Sequence, residues 1–226
     1  MSNNRKTTGS SGGDFQIAPA GTHLAICFGL AYIGNIKDTY HSSEGKYVDK
    51  VMFGFELCNE KAVFDENKGE EPFGLWTWPY TNSIGTKAKL NHFILSWRNK
   101  SSFSETEMKE GFDLSTVVGK ACMLGISHTE GENVYANIKS IMPPIANMGI
   151  LQPYNKPFVF DVANPSEEMR QLFFRLPKWI RDKVRESKEY LQQNLNWLEK
   201  DEQQSQAPQQ QQPQQQQSGG NNQNGW

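Results

Sequence analysis

Three large aromatic side chains, Trp76, Trp78 and Tyr80, occupy alternate positions in the stretch LWTWPY. Lys87 and Lys89 follow soon after, in a stretch that holds basic residues and no acidic one. Aromatic faces stack on flat rings such as nucleobases, and lysines hold phosphates. The residue types and their spacing therefore predict a surface that can hold a flat, negatively charged chain.

The same alternation has a second interpretation. Successive side chains of a strand point to opposite faces, so Trp76, Trp78 and Tyr80 are expected on one face of one strand. That face is either a ladder of stacking residues or part of a buried core. A small barrel cannot easily enclose three such side chains and also satisfy their polar groups, so we expect at least one of them to reach solvent.

Apolar periodicity predicts the elements that carry these residues. An OB-fold, a small and partly open barrel that binds oligonucleotides or oligosaccharides, has five strands with a helix between the third and the fourth. We therefore expect a mainly β protein with helices, built on a five-stranded OB-fold-like barrel; another small β-barrel or a β-sandwich is the alternative. A capping-box pattern, SETE at 104–107, predicts a further short helix. The predicted strands are 22–33, 47–57, 72–81, 119–128 and 133–141, and the predicted helix between the third and fourth strands is 86–99.

Two features of the first strands suit a barrel. Gly29 interrupts the first strand, and a glycine within a strand commonly marks a bend or bulge. On the second strand, Phe53 and Phe55 share an apolar face with Val51 and Leu57, and we expect that face to be core.

Composition divides the chain into four parts. Residues 1–13 are rich in serine, glycine and asparagine and are predicted to be disordered, and the barrel is expected to span 14–145. Residues 146–200 are predicted to be an extended connection followed by helices, the longest at 177–200, which either covers the barrel or mediates assembly into a homo-oligomer. Residues 201–226, rich in glutamine and proline, are predicted to be a disordered tail.

Several classes of protein are not indicated. The chain has a net charge of −2 and no apolar stretch long enough to span a membrane, and its beginning does not resemble a signal peptide, so a cytoplasmic protein is expected. Cys27, Cys58 and Cys122 are scattered in apolar runs, as buried thiols of a reducing compartment are. The four histidines lack metal-ligand spacing and no catalytic motif occurs, so we predict no metal, no cofactor and no enzyme activity.

In an OB-fold the ligand lies over strands 2 and 3 and the loops beside them. Aromatic and basic residues near that groove are the candidates, although each has an ordinary structural alternative as a core residue or a solvated charge. Lys87 and Lys89 stand at the start of a helix, where a cation is unfavourable for the helix dipole, which favours a phosphate contact there. The candidate nucleic-acid-binding residues are Lys37, Tyr40, Lys46, Tyr47, Lys50, Trp76, Trp78, Tyr80, Lys87, Lys89, Tyr135 and Lys139.

Over about residues 17–182, a succession of blocks that includes PAGTHLAICFGLAYIG, KVMFGFEL and GFDLSTVVGKACMLGI resembles a family of bacteriophage single-stranded DNA-binding proteins. The resemblance implies a sequence-tolerant binder of single-stranded DNA that acts in phage replication or recombination, in the cytoplasm of the bacterial host. Many bacterial proteins of this kind recruit replication or recombination proteins through a flexible tail with an acidic, aromatic tip. Trp226 is the corresponding candidate for partner binding, but the last eight residues here contain no acid.

Two other functions fit the same sequence. The barrel could serve as the scaffold of a protein-interaction adaptor whose helices and tail recruit the replication machinery. An oligosaccharide-binding module is the other alternative, because OB-folds and tryptophan platforms also bind sugars.

Overall fold

The structure is a computed structural model that describes residues 16–38, 44–131, 134–145 and 151–199. Tyr40, Trp226 and the two segments predicted to be disordered lie outside the described residues. No described helix is long and apolar enough to cross a membrane. The strands are β1 (Gly21–Asp38), β2 (Lys46–Asp65), β3 (Gly69–Trp76), β4 (Tyr80–Thr81), β5 (Ala121–His128), β6 (Ala136–Met142) and β7 (Phe158–Asp161), and the α-helices are α1 (Lys89–Arg98), α2 (Glu105–Glu110), α3 (Glu167–Arg175), α4 (Lys178–Arg185) and α5 (Lys188–Gln192).

The seven strands form one sheet, with the main order β3-β2-β1-β5-β6. These five strands pair antiparallel, β4 adds to β2, and β7 adds to β1 in parallel. Within the described residues, β3 and β6 are not hydrogen-bonded to each other, so the sheet is open. The prediction of a mainly β protein with helices is confirmed, whereas the five-stranded OB-fold-like barrel stays a prediction.

The bulge predicted near Gly29 is confirmed. The register between β1 and β2 shifts between Cys27 and Gly29, so Phe28 is an extra residue in β1. A bulge bends its strand and changes which face each side chain takes. β1 buries both of its faces, and the bulge changes the phase of its alternation: Cys27 and Leu30 lie in one core, and Phe28 and Ala31 lie in the other.

The two cores lie on opposite faces of the sheet. The first contains Phe53 and Phe55 of β2 and is closed by α1 through Phe93 and Trp97, so the predicted core face of β2 is confirmed. The second core lies under residues 151–199, which we call the C-terminal layer, and includes Phe160 of β7. The apolar surface that the layer and this face of the sheet bury against each other holds the layer to the sheet.

The C-terminal layer differs from its predicted form. The predicted extended connection contains a strand, β7. The predicted helix at 177–200 is divided into α4, α5 and a 3-10 helix at Leu195–Glu199. Ser187 is the reason for one break: it is fully buried and its side chain caps α5 by accepting a hydrogen bond from the Tyr190 N–H. Of the two predicted roles for this segment, the structure shows the cover over the sheet.

A buried carboxylate also joins the layer to β2. Glu56 is 2% exposed, and its oxygens accept hydrogen bonds from the backbone N–H groups of Tyr154 (2.5 Å) and Asn155 (2.8 Å) and from the Asn155 amide (2.7 Å). A buried charge is tolerated when it is hydrogen-bonded in this way. The outer face of β2 around Glu56 is therefore occupied by protein.

Candidate ligand-binding cleft

A cleft of about 1560 Å³ opens between β3, the β5–β6 hairpin and the C-terminal layer. We call it the aromatic cleft, because eight aromatic side chains from all three sides line it. These are Phe28, Phe64, Phe73, Trp76, Trp78, Tyr135, Tyr154 and Trp179.

The exposed apolar surface of the protein is concentrated at this cleft. Of the twelve large hydrophobic side chains that are exposed in the described residues, seven line it. Single exposed hydrophobics are normal on any protein, but a continuous patch marks a surface that binds something. The seven are Val63, Phe64, Trp78, Val134, Tyr135, Tyr154 and Trp179.

Trp76 forms the floor of the aromatic cleft. Its ring packs edge-on against Phe28, with centroids 5.7 Å apart, and lies 6.1 Å from the Phe158 ring. The ring rests on the backbone at Gly29 and Gly54, where an added Cβ would come within 2.8 and 2.7 Å of it. The absence of a side chain at these two glycines makes room for the tryptophan.

Trp78 stands in the mouth of the cleft and is 67% exposed. Its indole Nε1–H donates to Oδ1 of Asn137 on β6 at 3.1 Å, which fixes the ring between the two open edges of the sheet. The ring centroid lies 6.1 Å from that of Trp179 on α4, with the planes at 55°. The exposed faces of these two rings are available for stacking.

Tyr80 does not belong to the cleft. It packs in the first core against Phe53 and Phe93, and burial raises its pKa to about 12. The prediction that Trp76, Trp78 and Tyr80 share one face of one strand is wrong. The strand stops at Trp76 because Thr77, only 3% exposed, turns inward and its Oγ1 accepts a hydrogen bond from the Phe53 N–H at 3.0 Å. The expectation that at least one of the three aromatics reaches solvent is confirmed.

The candidates on the β1–β2 hairpin lie away from the cleft, which borders the other end of β2. Lys37 and Lys46 are exposed there. The Lys50 ammonium is 2.6 Å from an Asp38 carboxylate oxygen, in an ion pair that leaves the lysine side chain 12% exposed. Tyr47 is exposed, and the Lys188 Nζ lies 4.1 Å from its ring centroid.

The remaining candidates are divided. Tyr135 is 61% exposed and lines the cleft. Lys87, Lys89 and Lys139 are exposed but do not line it. Of the twelve predicted residues, the structure brings together Trp76, Trp78 and Tyr135 in the cleft.

The charges in the cleft are mixed. Its basic residues in the described part of the chain are Arg175 and Lys183. The Arg175 guanidinium lies 4.1 Å from the centroid of the Phe158 ring and donates to the Lys156 carbonyl, and desolvation lowers its pKa from the ordinary value. Four acids also line the cleft: Glu66, Glu71, Asp182 and Glu186.

Sequence reasoning missed the cleft residues of the C-terminal layer. One available signal was the position of Trp179 beside the apolar stripe of α4. Ile180 and Val184 are fully buried, one helical turn apart, so the residue preceding each of them lies off the buried stripe. A tryptophan off the buried stripe of an otherwise charged helix indicates an exposed binding residue.

The described residues contain no group of three or more histidine, cysteine, aspartate or glutamate side chains placed to hold a metal ion. Cys27 and Cys122 are buried free thiols, and burial raises the pKa of Cys27 to about 12. The chemistry that the cleft offers is stacking, hydrogen bonding and ion pairing.

A scan against models of protein families and a search of the curated proteins gave no match to this chain.

Proposed function

We propose that the protein is a sequence-tolerant single-stranded DNA-binding protein of phage replication or recombination, and that bases stack in the aromatic cleft. The observation that carries the proposal is that seven of the twelve large hydrophobic side chains exposed in the described part of the chain lie on this one concave surface. Each base stacked on an aromatic side chain contributes about 1–3 kcal/mol, whatever the base. The resemblance to phage proteins supports the same function.

We further propose that the sheet is an OB-fold. The order β3-β2-β1-β5-β6, with α1 between the third and fourth long strands, suits the five-stranded and partly open barrel of that fold. In this proposal the opening between β3 and β6 is the aromatic cleft, and the Trp78–Asn137 hydrogen bond bridges it. The usual ligand face over strands 2 and 3 is open here only in part, because the C-terminal layer covers β2 around Met52 and Glu56 while Val63 and Phe64 of the same strand line the cleft.

The balance of charges makes stacking the main source of affinity. Among the described residues, two basic and four acidic side chains line the cleft, so only a few phosphates can be neutralised there. Phosphate contacts are what makes nucleic-acid binding sensitive to salt. Binding in this cleft is therefore expected to weaken only modestly as salt is added.

The aromatic lining and the small number of basic residues in the cleft also favour a second candidate, an oligosaccharide-binding module. Sugar rings stack on tryptophan and hydrogen-bond to carboxylates, and they need no basic groove. An affinity for neutral oligosaccharides that is independent of salt, with no affinity for oligo-dT, would identify this function.

The test is a titration of fluorescein-labelled oligo-dT by anisotropy at low salt, with Trp78→Ala and Tyr47→Ala as a matched pair. Both residues are exposed aromatics predicted to stack, but only Trp78 lines the cleft. We expect Trp78→Ala to raise the Kd about 5- to 140-fold, the equivalent of one lost stack, and Tyr47→Ala to leave it unchanged. Absence of binding by the wild type would refute the function, and equal affinity of Trp78→Ala and wild type would refute the site.

A further inference from the structure

The C-terminal layer is a fixed part of the fold. Its strand β7 pairs in parallel with β1, from Gly29 opposite Phe158 to Tyr32 opposite Asp161. On α5, the Glu189 carboxylate accepts hydrogen bonds from the Asn35 backbone N–H at 2.8 Å and from its amide at 2.6 Å. The layer is thus held to β1 both by the second core and by polar contacts.

We propose that this layer is one wall of the DNA-binding site, with Trp179 as a stacking residue and Arg175 and Lys183 as the phosphate contacts. The inference rests on the proposed function and adds to it, because it assigns binding residues to a part of the chain expected to cover the barrel or to recruit partners. The sheet then supplies only the floor and the opposite wall.

The basic residues that line the cleft lie on one of its walls. In the described residues, the lining contributed by the sheet and its hairpins includes Glu66 and Glu71 but no lysine or arginine. Both basic lining residues, Arg175 and Lys183, belong to the C-terminal layer. A nucleic acid that stacks on Trp78 can therefore reach a cation within the cleft only on the wall formed by the layer.

The helix α4 presents an aromatic ring and a lysine to the cleft on the same side. The helix is anchored by Ile180 and Val184, both fully buried in the second core. Trp179 and Lys183 are four residues apart, so they lie one above the other on the same side of the helix. Both line the cleft, and Trp179 remains 40% exposed beside Trp78. An aromatic ring and an ammonium group spaced by one helical turn can hold a base and a nearby phosphate.

Arg175 is positioned just before this helix. Its guanidinium is held over the Phe158 ring at 4.1 Å and by a hydrogen bond to the Lys156 carbonyl. A guanidinium has five N–H donors, so further donors remain for a ligand. Because its position is already fixed, little side-chain entropy is lost when it binds a phosphate.

The stacking role is tested with Trp179→Ala and Trp179→Phe in oligo-dT anisotropy titrations. We expect Trp179→Ala to raise the Kd about 5- to 140-fold and Trp179→Phe, which keeps an aromatic face, to recover most of the affinity. A residue that only filled space would be expected to lower the melting temperature instead. The melting temperature of both variants is therefore measured alongside and is expected to stay near that of the wild type.

The phosphate role is tested by the salt dependence of Lys183→Gln, with Lys178→Gln as its control. Lys178 lies on the same helix but does not line the cleft. Loss of one phosphate contact should make the slope of log K against log salt less negative by about 0.7 for Lys183→Gln, with no change for the control.

The outcomes separate the two proposals. If Trp78→Ala weakens binding but Trp179→Ala and Lys183→Gln do not, the layer is not part of the site and the proposed function stands. If the wild type does not bind oligo-dT, the function fails and this inference fails with it.

Discussion

The salt dependence of DNA binding follows from where the basic residues lie. For single-stranded DNA, log K falls with log salt by about 0.7 for each phosphate neutralised. The basic residues that line the cleft, in the described part of the chain, are Arg175 and Lys183. Two phosphate contacts predict a slope of about −1.4, so raising salt from about 50 to 200 mM should weaken binding about sevenfold.

The lysines predicted from the sequence to bind DNA would give a steeper slope of log K against log salt. If all six contacted phosphates, the slope would be about −4.2, and the same increase in salt would weaken binding about 300-fold. The two values are far enough apart to locate the site. The six lysines are Lys37, Lys46, Lys50, Lys87, Lys89 and Lys139.

The assay is an anisotropy titration of labelled oligo-dT at four or more salt concentrations, with a chloride salt throughout. A slope between about −1 and −2 would support the aromatic cleft as the site. A slope near −4 would refute this reasoning and place the DNA on the exposed lysines outside the cleft. A slope of zero would show that oligo-dT binds by stacking alone and would refute phosphate contacts by Arg175 and Lys183.

Two further predictions concern the scaffold of the site. Gly54→Ala places a Cβ within 2.7 Å of the Trp76 ring and should lower the free energy of unfolding in urea by about 1–3 kcal/mol. Gly74→Ala is the control, because nothing lies within 4 Å of its added Cβ, and it should cost far less. Equal losses would show that the tryptophan moves aside freely. In the capping box of α2, hydrogen bonds from the Ser104 backbone and from Arg98 lower the pKa of Glu107 to about 2. The stabilisation by the Glu107 carboxylate is therefore complete above its unfolded pKa of about 4.5 and is lost as the pH falls towards 2. In urea denaturation, Glu107→Gln should be less stable than the wild type at pH 7 and equally stable near pH 2. A stability difference that does not change with pH would contradict this.

Local patterns in the sequence were enough to predict the elements that depend on them. Alternating apolar residues predicted β1, β2, β5 and β6, because one face of each meets the first core. The capping box at Ser104 also occurs as predicted, since both of its hydrogen bonds join residues three positions apart. Contacts between residues close in sequence could therefore be predicted from residue spacing.

The site depends on contacts that are distant in sequence. The hydrogen bond from the Phe53 N–H to Thr77 ends β3 and sends Tyr80 into the core, and nothing in the spacing of LWTWPY indicates it. The strand β7 has four residues, and its partner β1 lies more than a hundred residues earlier in the chain. A strand this short in a proline-rich stretch has too few residues to show a periodicity.

Phe28 of β1 is a point at which residues distant in sequence meet. The extra residue Phe28 turns part of the strand's apolar surface towards the second core, where Phe28 itself meets Trp76 and Phe158. After the bulge the alternation of β1 changes phase, so Leu30 faces the first core and Ala31 faces the second, whereas an unbroken alternation would place them the other way round. Ile180 and Val184 fix α4 in the same second core, so the position of Trp179 beside Trp78 depends on the packing of that core. The floor of the cleft and its second wall are therefore held by one core, to which β1 contributes Phe28.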